Sequence, residues 1–130
     1  MNCWLPPACI ITPSTAADIS IALKIATVLG ARFAVRSGGH NPNPGFGSID
    51  GGILLDLSQL RHLQISGDRK TVASGPGNRW GAVYQYLDPF EVSAVGGRHP
   101  DVGVGGLILG GESRRPLDVV ISGYQDIRIS

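Results

Sequence analysis

The sequence predicts an α+β fold: a small βαβ-type unit followed by the start of a mixed sheet. Three observations predict it. A segment of helical periodicity at 15–29 lies between two short apolar runs, Ala8–Ile11 and Phe33–Arg36, in the order of a βαβ unit. Two further β-like runs, His62–Ile65 and Thr71–Ser74, flank Gly67-Asp68 and read as a hairpin. The 19 glycines all lie from Gly30 onward and concentrate in two loops, each leading away from a β-like segment.

Taken in order, Ala8–Ile11 reads as a short buried strand ended by Thr12-Pro13. Thr15-Ala16-Ala17-Asp18 has the spacing of a capping box, with Thr15 as N-cap and Asp18 reaching back to its amide. Ile21, Ile25, Val28 and Leu29 fall on one face of the helix that follows, and Gly30 supplies its stop. Phe33–Arg36 is the next strand. Ser37 to Gly52 holds six glycines and two prolines, too irregular for a regular element, and loops of that length are more often functional than idle. Ile53–Leu57 reads as a strand. After the hairpin, Asn78 is placed to cap a helix running to about Leu87, with Trp80, Val83, Tyr84 and Leu87 inward and Pro89 ending it. Gly96 to Gly111 holds seven glycines, and Val104 to Glu112 can begin a helix within it. Beyond Glu112 the texture turns polar at Ser113–Pro116, after which Leu117–Ile121 and Ile127–Ile129 read as strands.

At 130 residues the chain has room for about one domain. Charged residues make up only 16% and apolar ones 42%, so charge-driven disorder is excluded and a core is affordable in composition. With 11 basic and 10 acidic residues and no basic stripe, nucleic acid is not an expected partner. No apolar run approaches the roughly 18 residues of a membrane span. Met1 to Pro7 lacks a basic n-region and carries paired prolines where an apolar stretch would lie, so the default expectation is an intracellular product. Cys3 and Cys9 either close a small loop or remain two thiols, the plainer reading; no zinc spacing is present.

Glycine clusters strip away Cβ atoms, so backbone N–H groups can approach a ligand, and successive free N–H groups make an anion-binding nest. Two such loops in one small domain point to a large anionic ligand such as a dinucleotide pyrophosphate; the competing reading is that the glycines only make tight turns. Standard motifs fail. A G-x-G-x-x-G from Gly103 meets Ile108 where its third glycine belongs, and a P-loop from Gly105 meets Gly111 where lysine is required. A phosphate site here needs a different fold.

The specific signal is R-S-G-G-H at Arg36–His40. With P-A-C-I-I-T-P-S-T-A-A-D-I from Pro7, G-P-G-N-R-W-G-A-V-Y from Gly75 and G-G-R-H-P-D-V-G-V-G-G-L-I-L-G-G from Gly96, the chain resembles a PCMH-type FAD-binding domain over about residues 5–111. The resemblance is to the vanillyl-alcohol-oxidase-like flavoproteins, closest to the berberine-bridge-enzyme-like branch and to fungal oxidoreductases of secondary metabolism. It implies the N-terminal part of that domain, FAD as cofactor, and an oxygen-dependent FAD-linked oxidase activity at the family level. It also implies that Arg36, Ser37, Gly38, Gly39 and His40 form one cofactor loop. Gly96, Gly97, Val102, Gly103, Val104, Gly105, Gly106, Gly110 and Gly111 form the second. His40 matches the histidine that relatives bond to the flavin 8α-methyl, and a neutral imidazole nitrogen is a suitable nucleophile for it. The cysteine that forms a second link in some relatives is His99 here, so at most one covalent bond is expected.

The resemblance ends near Gly111. Residues 112–130 do not follow the family pattern, and the separate substrate domain of the family has no counterpart in the sequence. Three expectations follow. The sheet edge after residue 111 is left uncovered, apolar faces are left bare for another polypeptide, and no residue is assigned as catalytic base. The substrate stays an unspecified small molecule. A non-catalytic remnant or binding module is the alternative to the enzyme reading.

Overall fold

In the computed structural model, residues 4–110 and 124–129 are described. These residues form two small sheets, three α-helices and two short 3-10 turns. The first sheet has the order β1-β3-β2, all parallel, from β1 (Cys9–Ile11), β2 (Phe33–Arg36) and β3 (Ile53–Asp56). Helix α1 (Ala16–Val28) connects β1 to β2, so the βαβ unit forms, but β3 inserts between its two strands. The second sheet has the order β4-β5-β7-β6, from β4 (Leu63–Ile65), β5 (Thr71–Ser74), β6 (Ser93–Ala94) and β7 (Tyr124–Ile129). β4 and β5 are the expected antiparallel hairpin, with Arg69 supplying the positive φ of the turn at +56°.

The capping box forms as its spacing requires. Thr15 Oγ1 accepts from Asp18 N–H at 3.1 Å, and Asp18 Oδ2 accepts from Thr15 N–H at 2.9 Å. The isoleucine–valine face of α1 is not the buried one. Ala22 and Ala26 are buried, whereas Ile21, Ile25, Val28 and Leu29 are all more than half exposed. The buried stripe of α1 follows its alanines. β1 is likewise not buried: Cys9 and Ile10 are exposed, because β1 is an edge strand.

The main core belongs to the second half. Val72 on β5, Trp80, Val83 and Leu87 on α2 (Trp80–Leu87), Ala94 on β6 and Val104 on α3 (Val104–Leu109) form one buried cluster. Tyr84 is half-buried at its rim and donates its hydroxyl to Gly97 C=O at 2.7 Å. Asn78 does not cap α2. Arg79 is the N-cap residue, without a side-chain cap bond. The expected uncovered edge is also corrected: β7 pairs in parallel with both β5 and β6 and lies between them. The readings at Leu117–Ile121, Gly111 and the Cys3–Cys9 pairing lie outside the described residues. Cys9 itself is exposed.

Candidate cofactor site

Three glycine-bearing turns meet between the two sheets. The first leaves the C-terminal end of β2 as Ser37-Gly38-Gly39-His40. The second is Gly75-Pro76-Gly77-Asn78 after β5, and the third is Val102–Gly106 entering α3. Their backbones touch. A Cβ on Gly38 would fall 2.4 Å from Gly103 N, and one on Gly103 would fall 2.4 Å from Gly38 N. Ordinary side chains cannot occupy either place, which is why both positions are glycine.

The middle turn fastens the other two. Ser37 Oγ donates to Pro76 C=O at 2.5 Å. Asn78 C=O accepts from Val104 N–H at 3.0 Å. The buried Asn78 amide nitrogen reaches His62 C=O, Ser74 Oγ and Gly75 C=O at 3.0–3.2 Å, so its two N–H donors are fully engaged. Gly75 N–H and Gly77 N–H bond His62 C=O and Leu60 C=O, each at 2.9 Å. Asn78 and Pro76 were not among the expected site residues. Their signal in the sequence was the G-P-G-N block itself, four residues of turn chemistry between a strand and a helix.

A cleft of about 730 Å³ opens over this junction. Arg36, Ser37, Gly38, Gly39, His40, Val102, Gly103, Gly106 and Gly110 line it, all expected. Among the described residues, the N–H groups of Gly38 and Gly39 have no acceptor within the chain. Gly39 adopts φ +64°, the left-handed backbone of an anion-accepting bend. Free amides, no Cβ atoms and a cleft of this size fit a diphosphate-bearing cofactor. Phe46 and Leu107 add an apolar wall that the sequence reading did not single out. An aromatic inside a glycine-rich loop, far from any core pattern, was the available clue.

Other expected residues sit elsewhere. Gly96 and Gly97 lie against the Trp80 indole, where a Cβ would come within 2.0 Å and 2.6 Å of ring atoms, and they do not line the cleft. Val104 and Gly105 are buried beneath it, Gly105 facing Ser37 Oγ and Pro76. Arg36 forms an ion pair with Asp56 at 2.6 Å. Burial works to raise the Asp56 pKa, but the bonds from Arg36 and Ser58 outweigh it and hold the carboxyl below its usual range. The exposed His40 and His99 rings stand 5.4 Å apart, centre to centre. No group of three or more metal-ligating side chains occurs among the described residues, and no helix there is long and apolar enough to cross a membrane.

A family model described as an FAD binding domain matches residues 7–117. An FAD-dependent monooxygenase of Aspergillus niger is 50% identical over 111 residues, covering 85% of this chain and 19% of that protein. Another, of Penicillium terrestre, is 53% identical over 110 residues, covering 84% and 21%. Among solved structures, 6-hydroxy-D-nicotine oxidase from Arthrobacter nicotinovorans superposes with a TM-score of 0.69 at 35% identity, over 73% of this chain and 21% of that one. The chain thus spans about a fifth of the length of the relatives it matches. The paired glycine bends, the family match across most of the chain and these fungal and oxidase relatives agree: the chain belongs to the FAD binding domain family, in its vanillyl-alcohol-oxidase-like and berberine-bridge-enzyme-like oxidoreductase branch.

Proposed function

We propose that this chain supplies the FAD-holding bends of an oxidoreductase of fungal secondary metabolism, with His40 as the point of covalent attachment. The reading rests chiefly on the backbone contact between Gly38 and Gly103, which joins two amide-rich turns at one cleft. In it, Ser37–Gly39 and Val102–Gly106 hold the diphosphate. Phe46 and Leu107 shield an apolar portion of the cofactor, and His40 lies at the open side. Bound FAD would supply a two-electron acceptor for an alcohol- or amine-bearing carbon, with oxygen as the final acceptor. His40 contributes an imidazole nitrogen for the tether. His99 beside it is not a thiol, which favours a single link.

The openness of the cleft favours a second reading. His40 and Phe46, which line the cleft, are exposed, so that part of it opens to solvent. On this reading the chain binds FAD without turning over a substrate. The test is to purify the chain with FAD, denature it in acid and follow flavin fluorescence. Retention after denaturation that vanishes in His40→Ala supports the tether. Retention only before denaturation supports binding without it. A wild-type chain holding no flavin even when native defeats the FAD reading.

A further inference from the structure

We infer that Trp4 is a positioning residue of the FAD site, holding the Ser37–His40 bend from behind; this rests on the FAD reading above. Trp4 lies ahead of the stretch matched by the family model, which begins at residue 7. Its indole covers the Arg36 guanidinium, with the carbon 4.3 Å from the ring centroid. The same guanidinium donates to Asp56 Oδ2 at 2.6 Å. Arg36 is thus held on one side by a carboxylate and on another by a π face.

Gly39 sits on this assembly. A Cβ on Gly39 would be 3.2 Å from Arg36 Cδ and 3.3 Å from Trp4 Cζ2. The arginine stem and the indole edge therefore form a floor under the one residue of the bend with positive φ. With that floor in place, Gly39 keeps the backbone that leaves its amide and that of Gly38 without partners among the described residues. The segment carrying Trp4 is itself tied to the same loop. Leu5 N–H donates to the buried Ser48 Oγ at 3.1 Å, and Gly51 N–H donates to Pro6 C=O at 3.0 Å. Residues 4–6 act as a strap across the back of the 37–52 loop. Trp4 does not line the cleft, so its effect on the cofactor passes through Arg36 and Gly39.

The experiment measures dissociation constants of the whole chain for FAD and for ADP, which shares the diphosphate, in wild type, Trp4→Ala and Trp4→Tyr. Amide ¹H–¹⁵N shifts are read alongside. Trp4→Ala is expected to weaken both probes by a similar factor, roughly three- to tenfold, and Trp4→Tyr to restore most of it. The amide signals of Gly38, Gly39 and His40 are expected to move while those of the Leu63–Ser74 hairpin stay. Should Trp4→Ala not fold, the same comparison is made with Trp4→Leu, which keeps apolar bulk without the π face. Equal affinities in wild type and Trp4→Ala overturn the role of Trp4 and leave the FAD reading standing. So do shifts spread evenly over hairpin and bend, which mark a general loss of packing. A wild-type chain that binds neither probe overturns the FAD reading, and the role of Trp4 with it.

Discussion

Gly38 and Gly103, 65 positions apart, meet backbone to backbone, with neither able to carry a side chain. The contact joins the end of the first sheet to the loop that enters α3, and the amide-lined cleft lies over it. An alanine at either position puts a methyl within 2.6 Å of backbone atoms of the other strand of the junction, and backbone cannot rotate aside as a side-chain tip can. Gly38→Ala and Gly103→Ala are each expected to cost about 1–3 kcal/mol in urea unfolding, the range of overpacked sites. Both should lower FAD retention. The double variant should cost less than the sum, because one displacement relieves both clashes.

Arg36 and Asp56 carry the pH dependence of the same region. Asp56 is largely buried, accepts from Arg36 and from Ser58 N–H, and has a folded-state pKa below its unfolded one. A depressed carboxylate contributes stability that is complete above the unfolded pKa, near 3.9, and is lost as pH falls through the lower folded value. Asp56→Asn should therefore destabilise the chain by roughly 1–3 kcal/mol at pH 7, where Arg36 loses its charged partner. The gap from wild type should narrow as pH is lowered from about 4. Melting temperatures of both proteins between neutral and strongly acidic pH check this; a gap constant across that range contradicts it.

Local chemistry was readable wherever one short stretch decides the outcome. The Thr15–Asp18 box, the turn at Gly67-Asp68 and the inward face at Trp80, Val83 and Leu87 each depend on spacing within one or two turns. The bend at Ser37–His40 was found because four chemically unusual residues stand together. Partners separated in sequence were not readable. Nothing local tells that Asn78 spends its amide on His62, Ser74 and Gly75 instead of capping α2. Nor does periodicity tell that α1 turns Ala22 and Ala26 inward, since Ile21, Ile25, Val28 and Leu29 make the stronger apolar pattern. The insertion of β3 between β1 and β2 is a pairing choice made across the Ser37–Gly52 loop, and strand order leaves no mark on either strand.

The two faces of α1 give opposite expectations for substitution. Val28 is 86% exposed and Ala26 only 2%. Val28→Lys removes apolar surface from water contact and disturbs no packing, so stability should stay within the range of a surface change, about 0.5 kcal/mol. Ala26→Leu adds three carbons where the helix approaches its neighbours and should cost about 1–3 kcal/mol. Thermal unfolding of the two variants decides it. A destabilising Val28→Lys with a tolerated Ala26→Leu means that the isoleucine–valine face is the buried one.

Gly96 separates packing from cofactor contact. A Cβ there would fall 2.0 Å from Trp80 Cζ3, inside the ring of a side chain that is 1% exposed. The indole cannot retreat, because Val83, Leu87 and Val104 are packed in the same cluster. Gly96→Ala is therefore expected to destabilise the fold by about 1–3 kcal/mol. Trp80→Leu alone should also destabilise, through the cavity it leaves and the lost stacking on Tyr84. Combined, the two should couple favourably: the methyl enters space that the ring has vacated, and the double variant should be more stable than the sum of single losses predicts. Strict additivity in that cycle, with FAD affinity falling in Gly96→Ala at unchanged stability, would instead place Gly96 against the cofactor.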